Sequence, residues 1–248
     1  MVIKKRQLSR SKMMTFILKM KKSRYNICSF RLEGSNEEDA VPMGKMDEMI
    51  LVAPRDDVFK KESLTFQGVY SEDSRVAEIM AQIEAAYREM RRGDAEEDPR
   101  FKQPIPYVVI KREDEVFLYE RLAGGGESRL HNKLSLGFGG HMNAIEGAAS
   151  FAEVLKLNTD RELEEELQIN EEDKQAIVTL GLINDDENSV GKVHIGILSA
   201  LQLKPGAQVE VKEKEQIAGK WMKVSELKQD DIYNRLETWS QFVVDILE

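Results

Sequence analysis

The sequence predicts an α/β protein in which a mixed β-sheet is flanked by helices. Three observations predict it. Strand-like segments outnumber helical ones and do not alternate with them in a regular βαβ pattern, which argues against a doubly wound parallel sheet. Two segments carry helical periodicity. Two apolar runs on either side of Arg112-Glu113-Asp114, within 107–122, form a hairpin signature and so bring antiparallel pairing.

The elements follow in order. MILVAP (49–54) is a short strand ended by proline, and LTFQGVY (64–70) is a second candidate. Val76, Ile79, Met80, Ile83, Tyr87 and Met90 recur at helical spacing, with Ser74 as N-cap and Gly93 as stop. Residues 95–106 are polar and proline-bearing and are expected to be a linker. After the hairpin, Gly124-Gly125-Gly126 is a loop, LSLGF (134–138) a strand running into Gly139-Gly140, and 150–167 a helix. Residues 176–183 and 192–203 are strands joined by a polar turn, and 216–224 is a shorter strand. Ser225 is expected to cap a short helical turn. Ile232, Leu236, Trp239, Val243, Ile246 and Leu247 line one face of a closing helix. Residues 1–45 are expected to be a basic, poorly ordered leader, 46–103 an accessory strand–helix segment serving as lid or dimer contact, and 104–248 the main domain.

Composition narrows the function. The 248 residues carry a net charge of −9, but ten Lys/Arg and no Asp/Glu fall in residues 1–32. The rest is strongly acidic, which disfavours nucleic acid as a partner and favours cations or small ligands. No apolar run is long enough to span a membrane. One cysteine, Cys28, excludes an internal disulfide framework and a multi-cysteine zinc site, and the three histidines, His131, His141 and His194, are scattered, which disfavours a zinc enzyme. A cytoplasmic location is expected. The basic leader fits an organelle presequence loosely, and translation from an upstream start explains it better: Glu37-Glu38-Asp39 is encodable by a purine-rich ribosome-binding sequence ahead of Met43 and Met46.

The informative segment is Arg161-Glu162-Leu163-Glu164-Glu165-Glu166-Leu167-Gln168-Ile169. On a helix Glu162, Glu165 and Glu166 share a face while Leu163 and Leu167 point to the core. Like charges at that spacing repel by roughly 0.2–0.5 kcal/mol per pair. They also lie in the last turns, where the macrodipole disfavours negative charge. A hard divalent cation reverses the sign of both effects. The bland alternative is a solvated glutamate face. The preceding strand, the Gly139-Gly140 pair and the loop bearing Glu146 tip the balance, because glycine lets backbone approach a ligand closely.

These residues resemble the Nudix box, G-x5-E-x7-R-E-U-x-E-E-x-G-U with U aliphatic. The second half matches except at Gln168, where the family has glycine; the exchange is expected to cost ~1 kcal/mol, with Asn170 taking the left-handed position instead. For the first half, Gly147-x5-Glu153-x7-Arg161 fits literally. Gly140 and Glu146 fit with seven residues inserted, and are preferred because Glu153 would lie half a turn from Glu162. Together with RLHNKLSLGFGGHMN (129–143), the chain looks most like the bacterial MutT-type group described as predicted phosphoesterases, over residues 104–248.

The resemblance implies a Nudix-like α/β/α sandwich and hydrolysis of a small-molecule diphosphate, with Mg²⁺ (or Mn²⁺) as cofactor. It implies Glu165 and Glu166 as metal ligands, Glu162 as a further ligand or the base that activates water, Arg161 as the group that orients a box glutamate, and Gly140 and Glu146 as further metal-site residues. Arg121, Arg129, His131, Lys133 and His141 are the candidate substrate-binding groups, and Glu213 and Glu215 the acidic residues before the late strand. Two other readings remain: an isopentenyl-diphosphate-isomerase-like enzyme, whose chemistry needs a cysteine that here exists only in the leader, and a non-catalytic Nudix-type sensor, which need not keep the glutamates. A homodimer is compatible with either.

Overall fold

The structure, a computed structural model, describes residues 44–122, 133–212, 214–215 and 217–247. The leader up to residue 43, Gly124-Gly125-Gly126, Arg129, His131 and Glu213 therefore lie outside the described residues. In chain order the elements are β1 (Met49–Pro54), α1 (Arg55–Val58), β2 (Gly68–Tyr70), α2 (Asp73–Ala86), β3 (Arg88–Arg91), α3 (Arg92–Ala95), β4 (Phe101–Arg112), β5 (Glu115–Arg121), β6 (Leu134–Ser135), β7 (Gly137–Phe138) and α4 (Phe151–Glu166). Then follow β8 (Leu167–Ile169), β9 (Lys174–Asn184), α5 (Ser189–Val193), β10 (His194–Leu203), β11 (Val209–Val211), β12 (Ile217–Lys223), α6 (Val224–Leu227), α7 (Asp230–Tyr233) and α8 (Thr238–Ile246).

The sheet is mixed. Its order is β12-β5-β4-β10-β9-β2, with β10 parallel to β4 and the other pairs antiparallel. β1 joins β4 at Ala53–Lys102, and β6 and β7 pair with β5 and β4. The alternation along β4 separates two cores. Tyr107 and Val109 pack with Val224, Leu227, Val243 and Val244 of the C-terminal helices. Val108 and Ile110 point the other way, onto Leu163 and Leu167 at the end of α4. Beside that second core, α2 supplies Ile79 and Ile83, which meet Phe151 and Val154 of α4 and Ile195 and Ile197 of β10. Helices thus cover both faces, as the mixed-sheet expectation requires.

Several local expectations change. The helix starting at Asp73 has Glu72, not Ser74, at its N-cap position; Ser74 Oγ instead donates to Glu72 at 2.6 Å. It stops at Ala86, because Arg88–Arg91 pair with β1 as a strand, and Gly93 falls inside α3. The segment expected to be a linker contains the start of β4. Pro104 and Pro106 sit in that strand opposite Ile195 and Ile197 of β10. On the other side the ladder is interrupted between Lys102 and Val108, so neither proline deprives a strand there of a donor. Ser225 lies within α6, whose N-cap is Lys223, and the closing helix is divided into α7 and α8 by a bridge between Leu236 and Leu134. Among the described residues, no helix is long and apolar enough to cross a membrane.

Candidate active site

α4 starts at a cap that the sequence carries in full. Ser150 Oγ accepts the Glu153 N–H at 3.3 Å, and the Glu153 carboxylate accepts the Ala149 N–H at 2.8 Å. Glu153 is thereby engaged at the N-terminal end of the helix. Gly147, with φ +80°, has open space around it, and Glu146 is exposed in the turn before the helix.

The other end of α4 meets the glycine pair. A Cβ on Gly140 would lie 2.6 Å from Glu162 Oε2, so only glycine lets the loop pass this close to the carboxylate. Gly139, at φ +147°, would put a Cβ 1.9 Å from the Pro106 carbonyl oxygen. Glu162 is buried, and its Oε1 lies 2.8 Å from Arg161 Nη2. The same nitrogen donates to the His141 carbonyl at 2.9 Å and to Asn158 Oδ1 at 3.2 Å, while Nη1 reaches Glu165 at 3.4 Å. One guanidinium therefore ties two box glutamates to the loop that follows Gly140. Burial pushes the Glu162 carboxyl above the ordinary carboxylate value; Arg161 opposes this and the charge of Glu165 adds to it. Glu165 is largely exposed, and Glu166 is partly buried as the last residue of the helix.

Sequence reasoning missed Asn158. It is fully buried on α4, donates Nδ2–H to the Asn143 and Val154 carbonyls at 2.9 Å each, and accepts the Asn143 N–H at 2.9 Å. A buried asparagine one turn before the arginine of the motif was the available signal, since buried amides need partners.

The described candidate substrate-binding residues fall in two places, Arg121 with Lys133 and His141 apart from them. Arg121 ends β5, lies over the Tyr119 ring at 5.4 Å, and its N–H donates to the Lys133 carbonyl at 3.2 Å. Lys133 Nζ reaches the Asn234 carbonyl at 3.4 Å. His141 adjoins Gly140 but its Nε2 meets Gln103 Oε1 at 2.7 Å and His194 Nε2 at 3.3 Å. Burial pushes the His194 imidazole down to about 4. Glu215 is exposed.

Comparison with solved structures decides the family. Tm1382, described as "a putative Nudix hydrolase", is 30% identical, with 80% of this chain and 97% of that chain covered and a TM-score of 0.65. The chain belongs to the Nudix hydrolase family. A MutT Nudix hydrolase from Burkholderia pseudomallei is 15% identical (59% of this chain and 98% of that chain, TM-score 0.43). A bifunctional NMN adenylyltransferase/ADP ribose pyrophosphatase from Francisella tularensis, solved with AMP and a manganese ion, is 18% identical (59% and 41%, TM-score 0.42). No family model matches the chain.

In this Nudix protein the residue at the box's last glycine position does not behave as a helix stop. Leu167 leaves α4 directly in extended conformation, and Gln168 pairs with Glu210 of β11. Asn170, at φ −66°, does not take the left-handed position expected of it. The terminal helix carbonyls are instead met by Lys212: its N–H donates to Glu166 O at 2.8 Å and its ammonium to Glu164 O. That ammonium also supplies the positive charge a helix C-terminus favours.

Proposed function

We propose that this Nudix protein hydrolyses a phosphoanhydride bond in a small diphosphate, a nucleoside diphosphate linked to another moiety being the substrate class. The observation that carries the reading is the packing of Gly140 against the buried Glu162 carboxylate, with Arg161 joining Glu162 and Glu165 to the adjoining loop. A close glycine, an acidic helix end and a cradle that a single Cβ would fill suit a hard divalent cation. Glu165 and Glu166 are the residues we assign to hold Mg²⁺, with Glu162 and Gly140 beside them; Glu146, the further metal-site candidate, stands in the turn before the opposite end of α4. Bound there, Mg²⁺ would neutralise diphosphate charge and lower the pKa of water.

The chain's own groups supply the rest. Arg161 occupies Glu162 Oε1 and so orients Oε2 toward Gly140. Glu162 Oε2 then either ligates the cation or accepts the proton of the attacking water; its burial, which raises its proton affinity, suits the second task. Arg121 and Lys133, linked by a backbone hydrogen bond, are the cations we assign to substrate phosphate, with Arg129, His131 and His141 as further candidates.

The test is phosphate release with Mg²⁺ across a panel of nucleoside diphosphate derivatives. Glu165→Gln and Glu166→Gln each remove turnover with the circular dichroism spectrum unchanged. Full turnover in both variants would refute the metal assignment. The pH profile of Glu162→Gln separates its two roles: a lost acidic limb marks the proton acceptor, and a raised Mg²⁺ requirement marks the ligand.

A further inference from the structure

Two of the histidines that the sequence scatters are brought together by the fold. His141 lies in the loop after Gly140, and His194 opens β10. Their Nε2 atoms are 3.3 Å apart. Glu96, immediately after α3, brings its Oε1 to 3.5 Å from His141 Nε2, and the three ligand atoms all lie within 4.8 Å of one another. His194 is buried, and the other two are partly so.

We infer that Glu96, His141 and His194 form a second metal site, distinct from the glutamates of α4, for a borderline divalent cation of the Zn²⁺ class. Three observations carry this. The first is spacing. Ligands about 2.0–2.1 Å from a tetrahedral ion are separated by about 3.3 Å, and two of the donor pairs lie at 3.3 and 3.5 Å. The second is the orientation of His194. Its Nδ1 lies 2.7 Å from the Val190 carbonyl, which can only accept, so Nδ1 carries the proton and Nε2 presents a lone pair to the cluster. An imidazole held by a backbone carbonyl is the usual support behind a metal-bound histidine.

The third is the proton deficit. His141 Nε2 faces three acceptors, Gln103 Oε1, Glu96 Oε1 and His194 Nε2, and can donate one proton among them. Gln103 is fully buried, and its Nε2 has no hydrogen-bond partner. A cation in place of that proton takes the lone pairs of His141, His194 and Glu96, whose Oε1 is otherwise met by Arg92 Nε at 3.4 Å. Two nitrogens and one carboxylate select Zn²⁺ over Mg²⁺, which prefers an all-oxygen shell. Buried Lys102 stands behind His194 but directs its ammonium to Asp186 at 2.9 Å and to the carbonyls of Gly191 and His194. The ion would join Glu96, outside the region of the box, to the loop whose His141 carbonyl anchors Arg161.

The full-length protein is stripped with chelator and titrated with Zn²⁺ in excess Mg²⁺, with bound zinc read by elemental analysis and thermal unfolding followed in parallel. One equivalent binds and raises Tm. Glu96→Gln and His194→Gln each weaken zinc binding at least tenfold, and the Glu165→Gln/Glu166→Gln double variant retains it. If His194→Gln fails to fold, Glu96→Gln at a partly exposed position and the imidazole nitrogen resonances of wild type, which shift on zinc addition, decide the matter. No bound zinc, or zinc kept by Glu96→Gln and lost by the double variant, overturns the site. Neither result touches the hydrolase reading, which the Mg²⁺-dependent phosphate-release assay tests separately.

Discussion

Asn158 and Asn143 hold each other through a reciprocal pair of hydrogen bonds. The Asn158 side chain donates to the Asn143 carbonyl and accepts the Asn143 N–H, both at 2.9 Å. The pair fastens the loop after Gly140 to α4 in the way one strand fastens another. Replacing Asn158 with alanine leaves both Asn143 backbone groups without these partners and removes one acceptor from Arg161. Denaturant melts should show a loss of about 2–3 kcal/mol. Turnover of the surviving folded protein should fall as well, since the loop carries Gly140.

The two neighbouring glycines should fail in different ways. Alanine at 139 meets a backbone oxygen at 1.9 Å with φ at +147°, and should destabilise the fold by more than ~3 kcal/mol. Alanine at 140 meets only the end of the Glu162 side chain, at 2.6 Å. It should cost about 1 kcal/mol or less in stability, yet lower turnover by roughly 100-fold by displacing that carboxylate. Unfolding curves and phosphate release on both variants check the contrast.

Arg161→Lys tests whether the guanidinium's fork is used. A single ammonium cannot serve His141 O, Glu162 and Glu165 together. Turnover should drop roughly 10- to 100-fold with little change in Tm. A variant with wild-type kcat would show that the charge alone suffices.

Asp186 gives the pH dependence of stability. Burial pushes its carboxyl up, but hydrogen bonds from Arg55, Asn184 and Lys102 more than offset this and hold it below the ordinary 3.8. Lys102 is itself pushed by burial down to about 8, against the pull of Asp186. A depressed carboxylate contributes stability at pH above 3.8 and loses it as pH falls further. Asp186→Asn should therefore be less stable than wild type by about 2 kcal/mol at pH 7, because it leaves Lys102 poorly matched. The difference should shrink below pH 3.8. A gap independent of pH would exclude Asp186 as the source.

The helix over 150–167 and the 107–122 hairpin were legible because both are local patterns, while the Ser150 cap went unread. Glu162, Glu165 and Glu166 could be assigned to one helical face for the same reason. Three things were not legible. Pro104 and Pro106 suggested a linker, whereas a gap in the ladder, a tertiary fact, admits them to β4. Glycine's absence at 168 implied a left-handed substitute nearby, whereas β11 supplies the ending from far along the chain. His141 and His194 looked unrelated because their separation is closed only by the loop lying beside the start of β10.

The passage of α4 straight into β8 has a mechanical consequence. With Gln168 laddered to Glu210 and Lys212 gripping two helix carbonyls, a swivel where the acidic residues end would have to break those bonds. Opening or closing to admit ligands therefore costs less elsewhere in the fold than at this carboxylate-bearing wall.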